Sequence, residues 1–210
     1  MCWSATADLV AGSAITAVGV ACVARAARTR PRALPLAALP LLLGAHQIIE
    51  AVIWTEGGGR GPLVVAWAVI ALPLLPLWVP VGVLCAAPDR ARRRLVVPLV
   101  CGVATSAALA YVLATKTVTA GIRGHTMGYE IGLPHAGWLI AGYLVATIGS
   151  LLLSGDGGLV LLGGLVAVGA AVCAALWRWE FISTWCAAAA LCSVVLYGWV
   201  RRDAPAADRD

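Results

Sequence analysis

Apolar residues run through this chain in long unbroken stretches, neither alternating nor confined to one helical stripe. Seven such stretches fall at roughly residues 6–27, 33–55, 62–87, 95–115, 136–154, 157–177 and 181–200. A helix needs about 20 apolar residues to cross a hydrocarbon core of about 30 Å. In lipid, a helix also satisfies its own backbone hydrogen bonds. The pattern therefore predicts an all-α polytopic membrane protein, a seven-transmembrane-helix bundle. Residues 1–201 read as a single transmembrane domain and 202–210 as a disordered cytoplasmic tail, which leaves no segment for a separate soluble domain. The polar breaks are short, as at Ser154-Gly155-Asp156-Gly157-Gly158. Residues 116–135 are the exception, one long polar loop in which Gly121, Gly124, Gly128 and Gly132 mark special turns.

Composition agrees with this reading. Of 210 residues, 61% are hydrophobic and 12% charged, against about 25% charged in a soluble domain, and mean hydropathy is +0.92. The net charge of +5 is distributed unevenly. Arg25, Arg28, Arg30 and Arg32 follow the first span, Arg90, Arg92, Arg93 and Arg94 follow the third, and Arg201, Arg202 and Arg209 follow the seventh. These are eleven of the fifteen basic residues; Arg60, Lys116, Arg123 and Arg178 are the others. The positive-inside bias then predicts an N-terminus outside and a C-terminus in the cytoplasm. The basic patches are topology determinants in contact with anionic lipid, and no nucleic-acid role is needed to explain them. No Lys or Arg precedes the first span, which is the charge order of an N-out anchor and not of a cleaved signal peptide. The seven cysteines form no Cys-x-x-Cys pair, and all but Cys2 fall in apolar runs, so neither a disulfide framework nor a zinc ribbon is indicated.

Some spans carry bending or packing devices. Pro73, Pro76 and Pro80 must open the hydrogen-bond ladder of the third. Gly163, Ala167, Ala171 and Ala175 in the sixth, and Thr184, Ala188 and Cys192 in the seventh, repeat every four residues. Small residues at that spacing allow close helix approach.

Ionisable residues inside a membrane are costly and mark candidate sites. The foremost group is His46-Gln47-Ile48-Ile49-Glu50 in the outer half of the second span, where His46, Glu50 and Trp54 share one helical face. A buried carboxyl beside an imidazole suits proton transfer or metal ligation; the alternative is a polar pair that ties the second span to its neighbours. A second group lies in the long loop: Lys116, Arg123, His125, Tyr129, Glu130 and His135. If that loop folds back over the bundle, His125, Glu130 or His135 would sit above His46 and Glu50. The third group is aromatic. Trp3, Trp54, Trp138, Trp177, Trp179 and Trp185 gather toward the outer boundary, either as an interfacial belt or as the wall of a pocket for an apolar or cationic ligand. Asp8 begins the first span, as a helix-start acid or as part of the same vestibule. Cys2 is a metal-ligand or modification candidate, or an inert terminus.

The segments Met1-Cys2-Trp3-Ser4-Ala5-Thr6 and His46-Gln47-Ile48-Ile49-Glu50 resemble an uncharacterised bacterial multi-pass membrane family. Its members typically begin Met-Cys-Phe-Ser-Ala-Thr and carry His-Gln-x-x-Glu in the second span. Trp3 stands where the family has phenylalanine. The resemblance implies the bacterial plasma membrane and directs attention to Cys2, His46 and Glu50, but brings no reaction with it.

The expectation from all this is an integral membrane enzyme with an outward-facing acid/base site acting on a lipid-like or isoprenoid substrate. Glu50 would exchange the proton with His46 as partner, His125, Glu130 or His135 would complete the site, and Trp54, Trp177, Trp179, Trp185, Tyr129 and Asp8 would bind the ligand. Cyclase-like protonation is one version. Metal-dependent lipid hydrolysis, with a metal ion on Cys2 and His46, is another. The rival class is a non-enzymatic ligand-binding, sensor or transport protein. Membrane lipid and a hydrophobic small molecule are the expected partners, with the oligomeric state open.

Overall fold

The computed structural model describes residues 4–176 and 181–202, the side chains of 181–183, 186 and 191 excepted. The described chain is mostly helical. We number its helices α1 (Ala5–Thr29), α2 (Pro31–Thr55), α3 (Pro62–Ala86), α4 (Asp89–Thr115), α5 (Ala136–Leu152), α6 (Gly157–Leu176) and α7 (Phe181–Arg201). Among the described residues, α1, α2, α3, α4 and α6 are long and apolar enough to cross a membrane, while α5 and the Ala187–Arg201 part of α7 are shorter apolar helices. Large apolar side chains such as Val10, Val97, Val168 and Leu176 stand exposed on these helices, a surface suited to lipid and not to water.

α2 is the central element. Its span is 61% buried, the highest share among the five long helices, and it packs against α1, α3 and α7. Pro31, Pro35 and Pro40 break its first half, so that it opens as a 3₁₀ turn and a short helix before Leu39–Thr55 runs unbroken. α1 crosses it very closely. A Cβ on Gly12 would lie 2.9 Å from the Gly44 carbonyl oxygen, and one on Gly44 would lie 2.9 Å from that of Gly12. Only two hydrogens facing each other admit this approach, which is the role of small residues between helices in lipid.

The prolines of α3 produce a π-helical turn over Ile70–Leu74. In that turn the Leu75 N–H reaches the Ile70 carbonyl. The next donor in the same register would be Pro76, which has none. The orphaned Ala71 carbonyl instead accepts from the buried Tyr143 hydroxyl of α5 at 2.6 Å, and the Pro73 carbonyl accepts from Ser106 of α4 at 2.6 Å. Backbone irregularity at membrane depth is thus satisfied by neighbouring helices. α5 has its own π turn over Val145–Gly149. Gly163, in the small-residue stripe of α6, packs against Leu151 of α5.

One correction concerns the segment 116–135, expected as a loop in an all-α chain. It contains an antiparallel hairpin, β1 (Thr119–Arg123) and β2 (Thr126–Glu130), with Arg123 paired to Thr126. Gly124, at φ 61°, takes the first of the two turn positions and His125 the second, the arrangement of a II′ hairpin turn. Of the glycines expected to mark special turns, Gly124 does so, while Gly121 and Gly128 pair with each other inside the ribbon. The hairpin also docks. Gly59 and Ala120 exchange backbone hydrogen bonds of 2.7 and 2.9 Å, which ties the α2–α3 connection to β1. Gly58, at φ 82°, has no room for a Cβ, which would lie 2.7 Å from the Ala120 carbonyl oxygen. Val118, Ala120 and Met127 are buried beneath the ribbon.

Two outcomes follow. Gly44→Val should lower stability in detergent by about 1–3 kcal/mol through overpacking of the α1–α2 crossing, measured by chemical unfolding. Tyr143→Phe should cost a similar amount, about 1–3 kcal/mol, because it leaves the Ala71 carbonyl buried without a donor. Unchanged stability in Tyr143→Phe would mean that the α3 π turn does not depend on α5.

Candidate functional site

The α1–α2 crossing sets the geometry of a polar cluster at the hairpin end of the bundle. With a helical rise of 1.5 Å per residue, Asp8 lies about 6 Å above Gly12, and Glu50 about 9 Å above Gly44, in these antiparallel neighbours. Asp8, His46 and Glu50 are each 0% exposed and Gln47 is 1% exposed. On α2, Leu39, Leu43, His46, Gln47 and Glu50 are all buried along one stripe, the i, i+4, i+7 spacing of a single helical face. The stripe is apolar toward the middle of the bundle and polar toward the hairpin.

Trp67 of α3 organises this cluster. Its indole Nε1 donates to Glu50 Oε2 at 3.1 Å, and its side chain is 0% exposed. The His46 ring stacks on it at 4.7 Å between centroids and 29° between planes. Tyr129 of β2 stacks on it at 3.4 Å and 9°. One indole therefore joins α2, α3 and the hairpin. The depth match was available from the chain: Glu50 lies five residues before the end of α2 and Trp67 five after the start of α3. Antiparallel helices joined by a short connection place such residues level. Which way the indole faces is not encoded in that spacing.

The cluster holds more hydrogen-bonding capacity than its protein neighbours use. Both carboxylate oxygens of Asp8, both ring nitrogens of His46 and both amide atoms of Gln47 are buried with no hydrogen-bond partner among the described residues. Asp8 interacts electrostatically with Glu50. The Trp54 indole N–H faces Asp8 but closes no hydrogen bond. Buried polar groups are nearly always paired, and three such side chains gather at this one junction.

Other residues singled out from the sequence lie elsewhere. His125 is exposed at the hairpin turn, His135 is exposed just before α5 at φ 51°, and Glu130 is exposed and ion-paired with Arg123 at 2.5 Å. The hairpin does fold over the cluster, but strand alternation sends Tyr129 inward and its neighbour Glu130 outward. Trp185 belongs to a separate apolar cavity of about 50 Å³ bounded by Leu43, Leu75, Tyr143 and Val166. Its indole donates to the Val166 carbonyl at 3.3 Å and its ring meets Tyr143 edge-on. Trp138 is 83% exposed. Cys2, Trp3, Trp177, Trp179 and Glu180, and the tail from residue 203, lie outside the described residues. Among the described residues, no group of three or more His, Cys, Asp or Glu side chains is arranged to hold a metal ion.

The long apolar helices and the buried polar junction define a helical membrane protein. The chain belongs to a family of unknown function, DUF6629, whose profile matches residues 1–210. No curated protein and no solved structure matches it.

A paired substitution separates structural from chemical roles here. Trp67→Phe keeps a ring between His46 and Tyr129 but removes the donor to Glu50, and should cost about 1–3 kcal/mol of unfolding free energy. Asp8→Asn should leave stability unchanged or raise it, because a carboxylate without partners does not hold the fold together. A large loss in Asp8→Asn would make Asp8 a structural tie.

Proposed function

We propose that this chain is an integral membrane enzyme whose acid/base site opens at the hairpin end and acts on a lipid-like or isoprenoid substrate. One observation carries the reading. Among the described residues, the four side-chain oxygen and nitrogen atoms of Asp8 and His46 close no hydrogen bond, in the same buried junction as Glu50. Two carboxyls and an imidazole so placed differ in their neighbours, and such differences assign separate acid and base roles. Glu50, held by the Trp67 indole, is oriented for proton exchange. His46 and Asp8 supply the partner groups, and Gln47 and Trp54 position the substrate. The aromatic faces of Trp54 and Tyr129 suit a substrate that develops positive charge, as an alkene or epoxide does on protonation. The metal-dependent version would need ligands beyond those that the described residues bring together.

In this proposal α5 and α7 complete a seven-span bundle with its N-terminus outside, supported by the eleven basic residues on the opposite end. The setting is the bacterial plasma membrane, and the cluster faces the exterior. The Met-Cys-Trp-Ser-Ala-Thr start and the His-Gln-Ile-Ile-Glu element would be family signatures, the second because it carries the site.

The test uses proteoliposomes of the full chain supplied with a C30 polyene, its terminal epoxide, and phospholipid, with products followed by mass spectrometry. Glu50→Gln and Asp8→Asn should each lower turnover by about 10²–10⁴-fold, the usual worth of a positioned acid or base, while retaining the helical circular dichroism spectrum. Folded variants that turn over as fast as the parent would refute the acid/base assignment. A parent that binds one of these compounds without converting it would favour the ligand-binding or sensor class.

A further inference from the structure

We infer that the cleft between the hairpin and the α2–α3 connection binds a phosphate-type anion, carried by a lipid headgroup or a soluble phosphate ester; this rests on the acid/base reading and names the polar end of its substrate. The cleft has a volume of about 540 Å³ and is bounded by Arg60, Thr117, Thr119, Arg123, Tyr129 and Glu130. That is within the size range of small-molecule sites, roughly 300–1,000 Å³.

Its charge is unusual for this end of the molecule. Eleven of the fifteen basic residues follow the first, third and seventh spans. Of the other four, Arg60 and Arg123 line this cleft, and Lys116 stands at its rim, where its ammonium donates to the Gly132 carbonyl at 2.7 Å. The fourth, Arg178, lies outside the described residues. Positive residues are sparse in translocated loops, so three that converge on one depression require a local reason. The topology determinants at the other end do not supply one.

The arrangement of Arg123 is specific. Its side chain lies back across β2 over Gly128, where a Cβ would come 3.0 Å from Arg123 Cδ and 3.1 Å from Nε. Any larger residue at 128 would displace it. One guanidinium nitrogen, Nη2, meets Glu130 Oε1 at 2.5 Å. A guanidinium has five donors in a planar fork, so further N–H groups remain for a second oxyanion. Arg60 makes no ion pair among the described residues. Two guanidinium groups, an ammonium at the rim and the hydroxyls of Thr117 and Thr119 match an anion with several acceptor oxygens around one centre. Glu130 already occupies one edge of Arg123 as a carboxylate, and an incoming phosphate would compete with it.

The cleft and the buried cluster share a wall. Tyr129 lines the cleft and stacks on Trp67, whose indole holds Glu50. An amphiphile held by its anionic head therefore has its next atoms against Tyr129, the ring that covers Trp67 above the acid.

The experiment uses the full chain in nanodiscs. Calorimetry in phosphatidylcholine discs measures binding of glycerol 3-phosphate, and native mass spectrometry measures retention of phosphatidylglycerol against phosphatidylcholine. Arg60→Gln and Arg123→Gln should each weaken binding by roughly ten- to a hundredfold, the worth of one charge-assisted hydrogen bond. Glu130→Gln should tighten it by roughly two- to fivefold, because the competing carboxylate is gone. That opposite sign separates anion binding from simple damage to the hairpin, since loss of the Arg123–Glu130 pair is common to both hairpin variants. Binding of the soluble ester with these effects identifies a solute; retention of phosphatidylglycerol alone identifies a lipid headgroup. The inference is overturned if neither anion is preferred, or if the arginine variants bind as the parent does. Turnover loss in Glu50→Gln would survive that failure, so the two readings fail separately.

Discussion

Trp67 joins three parts of the molecule, through its hydrogen bond to Glu50 of α2 and its stacking on Tyr129 of the hairpin. In a hydrocarbon setting a carboxyl group is expensive to bury unless something holds it, and the indole N–H is a donor carried on an apolar body. Because the ring is flat and fully buried, it also offers two faces, one to His46 and one to Tyr129. The hairpin position, the His46 rotamer and the Glu50 orientation are therefore coupled through one side chain. Tyr129 in turn makes the outer cleft and the buried junction neighbours.

Beneath that contact, the bundle meets the lipid constraint by two opposite devices. Where α1 and α2 cross, side chains are removed, and Gly12 and Gly44 let the backbones approach until Asp8 and Glu50 interact. Where the α3 prolines remove backbone donors, side chains are added, and Tyr143 and Ser106 supply hydrogen bonds to the freed carbonyls. Both keep the backbone satisfied away from water. The contrast makes the polar junction distinctive. The chain satisfies its irregular α3 carbonyls from neighbouring helices, yet among the described residues the side chains of Asp8, His46 and Gln47 close no hydrogen bond.

The site was partly legible before the fold was known. His46 and Glu50 stand out because ionisable residues in an apolar run have few innocent explanations, and Asp8 stands out for the same reason. Tyr129 was visible only as one polar-loop residue among several. His125, Glu130 and His135 had equal chemical standing, and strand alternation, which the glycine-rich loop concealed, decided that Tyr129 faces inward while Glu130 faces out. Trp54 and Trp185 looked like parts of one aromatic wall, but they belong to different places: Trp54 faces Asp8, and Trp185 lines a lower apolar cavity with Tyr143. Gln47 and Trp67 carry no charge, so nothing in an apolar run marks them as members of the junction.

Sequence by itself determined the solvent, because unbroken apolar runs of this length have no use in water, and it located the helices, because polar breaks separate such runs. It also identified which buried residues were chemically costly. Tertiary structure decided which of them meet. Hydrophobicity carries no information about the rotation of one apolar helix against another, so the facing of Trp67 toward Glu50 followed only from the glycine crossing, the π turn of α3 and the docked hairpin.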